Sequence, residues 1–182
     1  MYLDSYASAV GTRVALGLVN ELVVRPSDSP GKAVADLLAF DPTSVADRPA
    51  EYGPAFLGLA RRLHGVVAAL DEKRLDDAAD VLNKLLEAAP AVPHLVKENG
   101  GWSLHHHPHG AGLVEAWTSI CAESLARIVG EGHADRVHLC ASTSCRRAFV
   151  DTTKNATRRY CSERCQNREK AAALRLRRAL TR

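Results

Sequence analysis

The sequence predicts a mainly α-helical protein. A helical N-terminal domain with a small β-hairpin is followed by a C-terminal treble-clef-like finger with four cysteine ligands, which ends in an arginine-rich helix. Three observations predict this fold class. Apolar residues recur at helical spacing through the first 130 residues, four cysteines crowd into positions 140–165, and the residues after them are rich in Ala, Leu and Arg. Two glycines and a reversal of charge place the domain boundary between residues 1–132 and residues 133–182.

The composition is that of an ordinary globular protein, with 46% hydrophobic and 25% charged residues in a chain of 182. Its longest apolar runs fall far short of the roughly 20 residues that cross a bilayer, so the sequence predicts no membrane partner. The N-terminal segment MYLDSYASAV has an acid at Asp4 and lacks the basic start and apolar core of a signal peptide. We therefore expect a cytoplasmic protein.

The first two helices are predicted from apolar periodicity and from proline. Residues 5–24 form an amphipathic pattern that must stop before Pro26, because the residue preceding a proline is pushed out of the α region. Ser29 is the predicted N-cap of a second helix over 30–40, which has a proline at its first position. Residues 41–53 are rich in turn-forming residues and are predicted to be a loop.

The remaining elements of the N-terminal domain follow in order. Pro54 is predicted to open a helix that runs to Leu70, and a polar turn at 71–74 leads into a helix over 76–89. Residues 92–107 contain short apolar segments on either side of a Gly-Gly pair, which predict two short strands joined by a glycine turn. The last helix of the domain is predicted to begin at residue 110 or 111 and to end at residue 130.

The clustered cysteines form the pattern Cys140-x4-Cys145-x15-Cys161-x3-Cys165. Two close pairs of thiolates, separated by a short segment, meet the tetrahedral preference of Zn²⁺ with little loop-closure entropy, so Zn²⁺ is the predicted cofactor. Four protein ligands leave no open coordination position, and we expect a structural site and no enzyme. Cys121 stands apart in an apolar helical pattern and is interpreted as a buried small hydrophobic residue.

The residues around the cysteines predict the rest of the finger. Residues 148–150 and 158–160 are interpreted as two strands joined by a turn at 151–155. Ser162 is the predicted N-cap of the final helix. Cys165 then lies in the first helical turn, where the helix dipole stabilises a thiolate.

The tail resembles the CGNR zinc finger family. The resemblance is carried by Cys165, Asn167 and Arg168, with Gln166 where the name-giving tetrapeptide has glycine, and by the preceding sequences FVDT and RRY. In that family the finger follows a helical ABATE domain, described as a stress-induced transcription regulator, and the sequences LVNEL and WSLHHHP of the N-terminal part resemble that domain. The resemblance implies a zinc-binding, DNA-binding regulator of transcription with a role in stress response.

Charge is divided unequally along the chain. Residues 1–132 contain 11 Lys+Arg and 17 Asp+Glu, which gives a net charge of −6. Residues 133–182 contain 13 Lys+Arg and 4 Asp+Glu, which gives +9, so the whole chain carries +3. A polyanion is the natural partner of such a tail, and the sequence predicts double-stranded DNA. Arginine suits both phosphate groups and guanine edges. The predicted DNA contacts are Arg158, Arg159, Arg164, Arg168, Lys170, Arg175 and Arg178.

Several alternatives stay open at this stage. Arg168 and Asn167 are close enough to the cysteines to brace the finger. The basic tail is also compatible with a zinc-stapled protein–protein interaction module that binds an acidic protein surface. The acidic N-terminal domain is interpreted as a sensor of a small-molecule effector or as a dimerisation domain that would give a homodimer, but the sequence names no ligand, target site or direction of regulation.

A run of histidines, Leu104-His105-His106-His107-Pro108-His109, follows the predicted glycine turn. On a strand, His105 and His107 share one face and His109 can join them, which would bring three imidazoles together. We interpret the run as a polar strand edge or loop. The alternative, a second metal site on which an enzyme is built, stays open.

Overall fold

The structure, a computed structural model, describes residues 9–40, 49–98 and 100–180. Within these ranges the chain forms six α-helices and two antiparallel sheets of two strands each, which confirms the predicted fold class. No helix in these ranges is both long and apolar enough to cross a membrane. In chain order the elements are α1 (Val10–Val19), a π-helical turn (Asn20–Val24), α2 (Pro30–Leu38), α3 (Pro49–Asp71), α4 (Leu75–Ala88), β1 (Pro93–Glu98), β2 (Gly101–His106), α5 (Leu113–Gly130), a 3₁₀ turn (Ala134–Arg136), β3 (Val137–Leu139), β4 (Ala148–Val150) and α6 (Glu163–Leu180).

The helices α1 to α5 and the β1–β2 hairpin make up what we call the body. The long helix α3 lies against α1, α2 and α4, and α5 packs against α1 and α4. All five helices contribute to one apolar core, and each buried aliphatic or aromatic side chain stabilises it by about 1.5–3 kcal/mol. The largest fully buried side chains are Val14, Leu18, Val19, Val34, Leu38, Phe56, Leu63, Val66, Leu82, Leu85, Leu125 and Ile128.

The start of α3 differs from the prediction. The helix begins at Pro49 and runs through Pro54, so the loop predicted over 41–53 is wrong in its last five residues, while its first eight lie outside the described ranges. The first position of a helix needs no backbone N–H donor, which suits Pro49. Pro54 removes one helical hydrogen bond, and burial of Tyr52 and Gly53 in the same turn offsets this loss.

The other elements of the body match the prediction closely. The predicted turn at 71–74 separates α3 from α4. The hairpin turns at Gly100, whose φ of 79° is a left-handed conformation that favours glycine. The first predicted helix is present from Val10 and continues as the π-helical turn, whereas its predicted start at Ser5 lies outside the described residues.

The strand partner of β4 also differs from the prediction. β4 pairs with β3, with Val137 opposite Val150 and Leu139 opposite Ala148. The strand predicted over 158–160 is wrong, because that segment is irregular in the structure. Its backbone is hydrogen-bonded to other groups instead: the Arg158 N–H, for example, donates to the Asp151 carboxylate at 2.7 Å.

Candidate metal centre and basic helix

Four thiols converge where the loop between β3 and β4 meets the start of α6. The Sγ atoms of Cys140, Cys145, Cys161 and Cys165 all lie within 4.8 Å of one another. Cys161 Sγ is 3.6 Å from Cys145 Sγ and 3.7 Å from Cys165 Sγ. Zinc–sulfur bonds of about 2.3 Å in a tetrahedron place the sulfurs about 3.8 Å apart, so these distances fit a Zn²⁺ ion at the centre.

Local backbone geometry positions the thiols. The Cys145 N–H donates to the Ser142 carbonyl at 2.9 Å, which closes a tight turn between the first two cysteines. The Cys165 N–H donates to Ser162 Oγ at 3.3 Å, so the predicted N-cap of α6 is confirmed. Cys165 therefore lies on the first turn of α6, whose partial positive charge favours a thiolate.

The thiols differ in their affinity for protons. Burial raises the pKa of Cys140, and burial together with the neighbouring thiols raises the pKa of Cys161 to about 12. A hydrogen bond with Ser162 lowers the pKa of Cys165 to about 7, although burial opposes this effect. A divalent cation supplies the positive charge that such a cluster requires to lose all its protons. Soft sulfur donors in a tetrahedron select zinc, so the residues present fit the predicted cofactor.

A buried serine links the first cysteine loop to α6. Ser142 Oγ donates to Glu169 Oε1 at 2.6 Å and accepts a hydrogen bond from Arg168 Nη2 at 2.8 Å. The same Arg168 nitrogen lies 3.4 Å from Cys165 Sγ. Arg168 thus faces the metal centre, where its positive charge offsets that of the thiolates and its hydrogen bonds fix the orientation of the ligand.

Arg158 also belongs to the interior of the finger. Its Nε donates to the Tyr160 carbonyl at 2.8 Å, its Nη2 donates to the Cys161 carbonyl, and its guanidinium group lies 5.3 Å from the centre of the Phe149 ring. Phe149 and Tyr160 pack against the cysteines. Arg158 therefore holds the chain on which Cys161 is placed.

Asp151 is a structural residue that sequence analysis placed in a turn without assigning it a role. It is fully buried, and its carboxylate accepts hydrogen bonds from Thr153 N–H and Oγ1 and from Arg158 N–H at 2.6–2.8 Å. Burial alone would raise the pKa of Asp151, but these hydrogen bonds and the nearby charge of Arg136 outweigh it and hold the pKa below its usual value. Asp151 belongs to the FVDT sequence that supports the CGNR resemblance, and this was the one feature of the sequence that could have indicated its structural role.

The β3–β4 hairpin of the finger packs against the body. Val137, Leu139 and Ala148 are buried in the same apolar core as α3. Asn20, in the π-helical turn, donates through Nδ2 to the Ala148 carbonyl at 3.0 Å and accepts from the Ala148 N–H at 2.7 Å. Two further contacts join the same surfaces: an ion pair of Glu21 with Arg147, and His138 Nδ1 at 3.3 Å from Asp71 Oδ1. Asn20 and Glu21 lie in the LVNEL sequence, but their partners are 128 and 126 residues away and could not be read from the sequence.

The helix α6 extends from the metal centre into solvent. Cys165 is its one buried residue among those that the structure describes, and every side chain from residue 173 to residue 180 is exposed. The seven predicted DNA contacts therefore fall into two groups. Arg158 and Arg168 are engaged in the finger, as described above. The exposed members are Arg159, Arg164, Lys170, Arg175 and Arg178.

Comparison with known families agrees with this organisation. Residues 136–178 match the family model of the CGNR zinc finger, and residues 12–132 match the ABATE family, whose description is "Putative stress-induced transcription regulator". No curated protein gave a match. Neither family is a class of enzymes. Because the second match covers most of the chain, and because the cysteine geometry fits zinc, the protein belongs to the ABATE family and carries a CGNR zinc finger that binds zinc.

Proposed function

We propose that the protein is a cytoplasmic DNA-binding regulator of transcription in which zinc fixes the start of α6 and α6 contacts duplex DNA. The observation that carries this proposal is the position of α6: its start is anchored at the metal centre by Cys165, and its part from residue 173 to residue 180 is exposed and carries three arginines. The family description supports a role in transcription. The body, in this proposal, serves sensing or dimerisation, in line with its own core and its acidic balance.

Three exposed arginines of α6 are arranged along one side of the helix. At about 100° per residue, Arg164, Arg175 and Arg178 fall within about 60° of one another, and they span about 21 Å of helix axis. A stripe of this length spans about six phosphates of one DNA strand at 3.4 Å of axis each, and guanidinium groups bind phosphate in a bidentate manner. Lys170 lies on a different side of the helix and would make at most a peripheral phosphate contact.

Arg158 and Arg168 have a different role in this proposal. Their guanidinium groups donate to groups within the finger at Cys161 and Ser142. We therefore assign them to positioning of the metal ligands, and we assign DNA contact to the exposed residues Arg159, Arg164, Arg175 and Arg178.

The experiment is a salt titration of binding to random-sequence duplex DNA. The logarithm of the binding constant should fall with the logarithm of salt concentration by about 0.9 for each phosphate neutralised. The double variant Arg175→Ala/Arg178→Ala should reduce the slope by about one to two units and keep its zinc, because both residues lie well beyond the ligands. The matched control is Arg61→Ala/Arg62→Ala, which removes two exposed arginines from α3 and should leave the slope unchanged. Equal slopes for both double variants would contradict the proposal.

A second candidate function is a zinc-stapled protein–protein interaction module. It is favoured by Leu176 and Leu180, which are 64% and 79% exposed on the side of α6 opposite the arginine stripe. These two leucines are one helical turn apart and therefore adjoin on the helix surface, and contiguous exposed apolar side chains mark a surface that another protein covers. Replacement of both leucines by Gln should leave DNA affinity intact if the first candidate is right, and should abolish self-association or partner binding if the second is right.

A further inference from the structure

Four histidine side chains meet on one side of the β1–β2 hairpin. His94 on β1 and His105 on β2 are cross-strand partners, and His107 and His109 follow β2. The ring centre of His94 lies 5.7 Å from that of His105, 5.2 Å from that of His107 and 5.8 Å from that of His109. The rings of His105 and His107 are 5.2 Å apart, with His105 Nδ1 at 3.1 Å from His107 Nε2. The sequence run contains three of these histidines, and the hairpin register adds His94.

Backbone carbonyls orient two of these rings. His94 Nδ1 lies 3.2 Å from the Val92 carbonyl oxygen, and His107 Nδ1 lies 2.9 Å from the Pro108 carbonyl oxygen. A carbonyl oxygen only accepts hydrogen bonds, so both Nδ1 atoms carry the proton and both Nε2 atoms carry a lone pair. The lone pair of His107 Nε2 accepts a hydrogen bond from His105 Nδ1, which a metal ion would replace. Hydrogen bonding of one ring nitrogen to a carbonyl is the usual arrangement of a metal-ligating histidine, because it fixes the tautomer and raises the basicity of the other nitrogen.

From this arrangement we infer that His94, His105 and His107, with His109 as a fourth ligand, bind one divalent late first-row transition-metal ion. Neutral imidazole nitrogens suit Zn²⁺, Ni²⁺ and Cu²⁺. Among the described residues, only the cysteine quartet already has all its ligand atoms within 4.8 Å of one another, so the histidine rings must rotate inward to close on the ion. Partial exposure of the rings and this rotation make the site weaker and more readily exchanged than the cysteine site.

His106 provides a matched control within the same run. It lies on the opposite side of β2, with Nδ1 at 3.9 Å from Glu123 Oε1 on α5. A metal site built by the hairpin register needs His94 and His107 and does not need His106. An unstructured histidine-rich tract, in contrast, would lose affinity to a similar extent whichever histidine was removed.

The test uses the full-length chain without a histidine tag, purified with zinc in the cysteine site. Ni²⁺ is added, excess is removed by equilibrium dialysis, and zinc and nickel are counted separately by elemental analysis. We expect one nickel per chain with zinc unchanged at one. His94→Gln/His107→Gln should weaken nickel binding at least about 10-fold, whereas His106→Gln should bind like the parent protein.

Two outcomes would overturn the inference: no nickel retained by the parent protein, or equal loss in His106→Gln and in the double variant. X-ray absorption at the nickel edge of the parent protein gives a readout that does not depend on any variant. A shell of nitrogen scatterers with imidazole features supports the site, and sulfur scatterers would show that nickel has entered the cysteine site instead. None of these measurements involves DNA, so failure here leaves the proposed function untouched.

Discussion

The body and the finger of this protein are held together by different physical means. The body buries large apolar side chains from five helices, including Phe56, Leu63 and Leu125, in a continuous core. Inside the finger, the apolar cluster consists of only Phe149, Tyr160 and the four clustered cysteines among the described residues, and the other buried apolar side chains of its hairpin point into the core of the body. The body therefore has the means to fold by hydrophobic burial, whereas the finger needs the metal ion to compensate for the conformational entropy of its loops.

This difference explains how a rigid body can present a long, solvent-exposed basic helix. Beyond its first turn, α6 makes few contacts with the rest of the chain, so it lacks most of the tertiary packing that stabilises helices in proteins. The thiolates, Ser162 and Arg168 fix its first turn, which removes most of the nucleation cost. Asn20 and Glu21 then set the orientation of the finger on the body.

The largest effect that separates the two regions is expected from loss of a cysteine ligand. Cys161→Ser should release zinc and unfold the finger, because a structural zinc ion contributes about 10–16 kcal/mol of apparent binding free energy at neutral pH. Elemental analysis of freshly purified protein should fall from one tightly bound zinc per chain to none. The control is Cys121→Ala, which removes the one cysteine outside the quartet and should keep the zinc. Tightly bound zinc in the Cys161→Ser variant would contradict the ligand assignment.

A large-to-small substitution in the core should instead destabilise the body and leave zinc bound to the finger. Phe56 is fully buried in α3, and Phe56→Ala should lower the free energy of unfolding of the body by about 3–5 kcal/mol. Chemical denaturation followed by helical circular dichroism measures this change, and zinc should stay bound at low denaturant. If the variant lost its zinc before its body unfolded, the two regions would be less independent than their cores indicate.

A smaller effect is expected within the finger from the buried carboxylate. Asp151→Asn removes charge-assisted hydrogen bonds and should destabilise the finger by about 1.5–3 kcal/mol, measured as increased loss of zinc to a competing chelator. Because the folded pKa of Asp151 is lowered, its stabilisation is complete above the usual carboxyl pKa of about 3.9 and is lost only as pH falls through the folded pKa. The difference between parent and variant should thus stay constant between about pH 5 and pH 8. A difference that changed steadily over this range would contradict the assignment.

The smallest effect should arise at the contact between the two regions. Asn20→Ala leaves both backbone groups of Ala148 without their side-chain partner and should cost about 1–2 kcal/mol. The expected signature is faster amide exchange at β3 and β4 with zinc still bound, since the change affects docking and not the ligands. Asn83→Ala, on the exposed side of α4, is the control and should leave the exchange of β3 and β4 unchanged.

The sequence predicts the elements that depend on local chemistry. Apolar periodicity and proline positions give the helices of the body, the Gly-Gly pair gives the hairpin, and the cysteine spacing with Ser162 gives the metal centre and the start of α6. The errors have physical causes. Turn-forming residues before Pro54 suggested a loop, but Pro49 suits the first helical position, and burial of Tyr52 offsets the hydrogen bond that Pro54 removes inside the helix.

Features that depend on distant residues could not be predicted in this way. The segment 158–160 has the composition of a strand, but strand pairing is replaced by other hydrogen bonds: the Arg158 N–H donates to the Asp151 carboxylate, and the Arg159 carbonyl accepts from the Ala141 N–H. The pairing of Asn20 with Ala148, and the addition of His94 to the histidine run, bring together residues that only the tertiary fold or the strand register places side by side.

The most direct test of the account is hydrogen–deuterium exchange of the full-length protein before and after removal of zinc by a chelator. We expect amides in the segment 140–165 and in α6 to lose protection, while amides in α3 and α5 stay protected, because the body retains its apolar core and the finger loses the ion that orders it. Unchanged protection in the finger after complete removal of zinc would contradict the claim that the metal holds it together. Equal loss of protection in α3 would contradict the independence of the body.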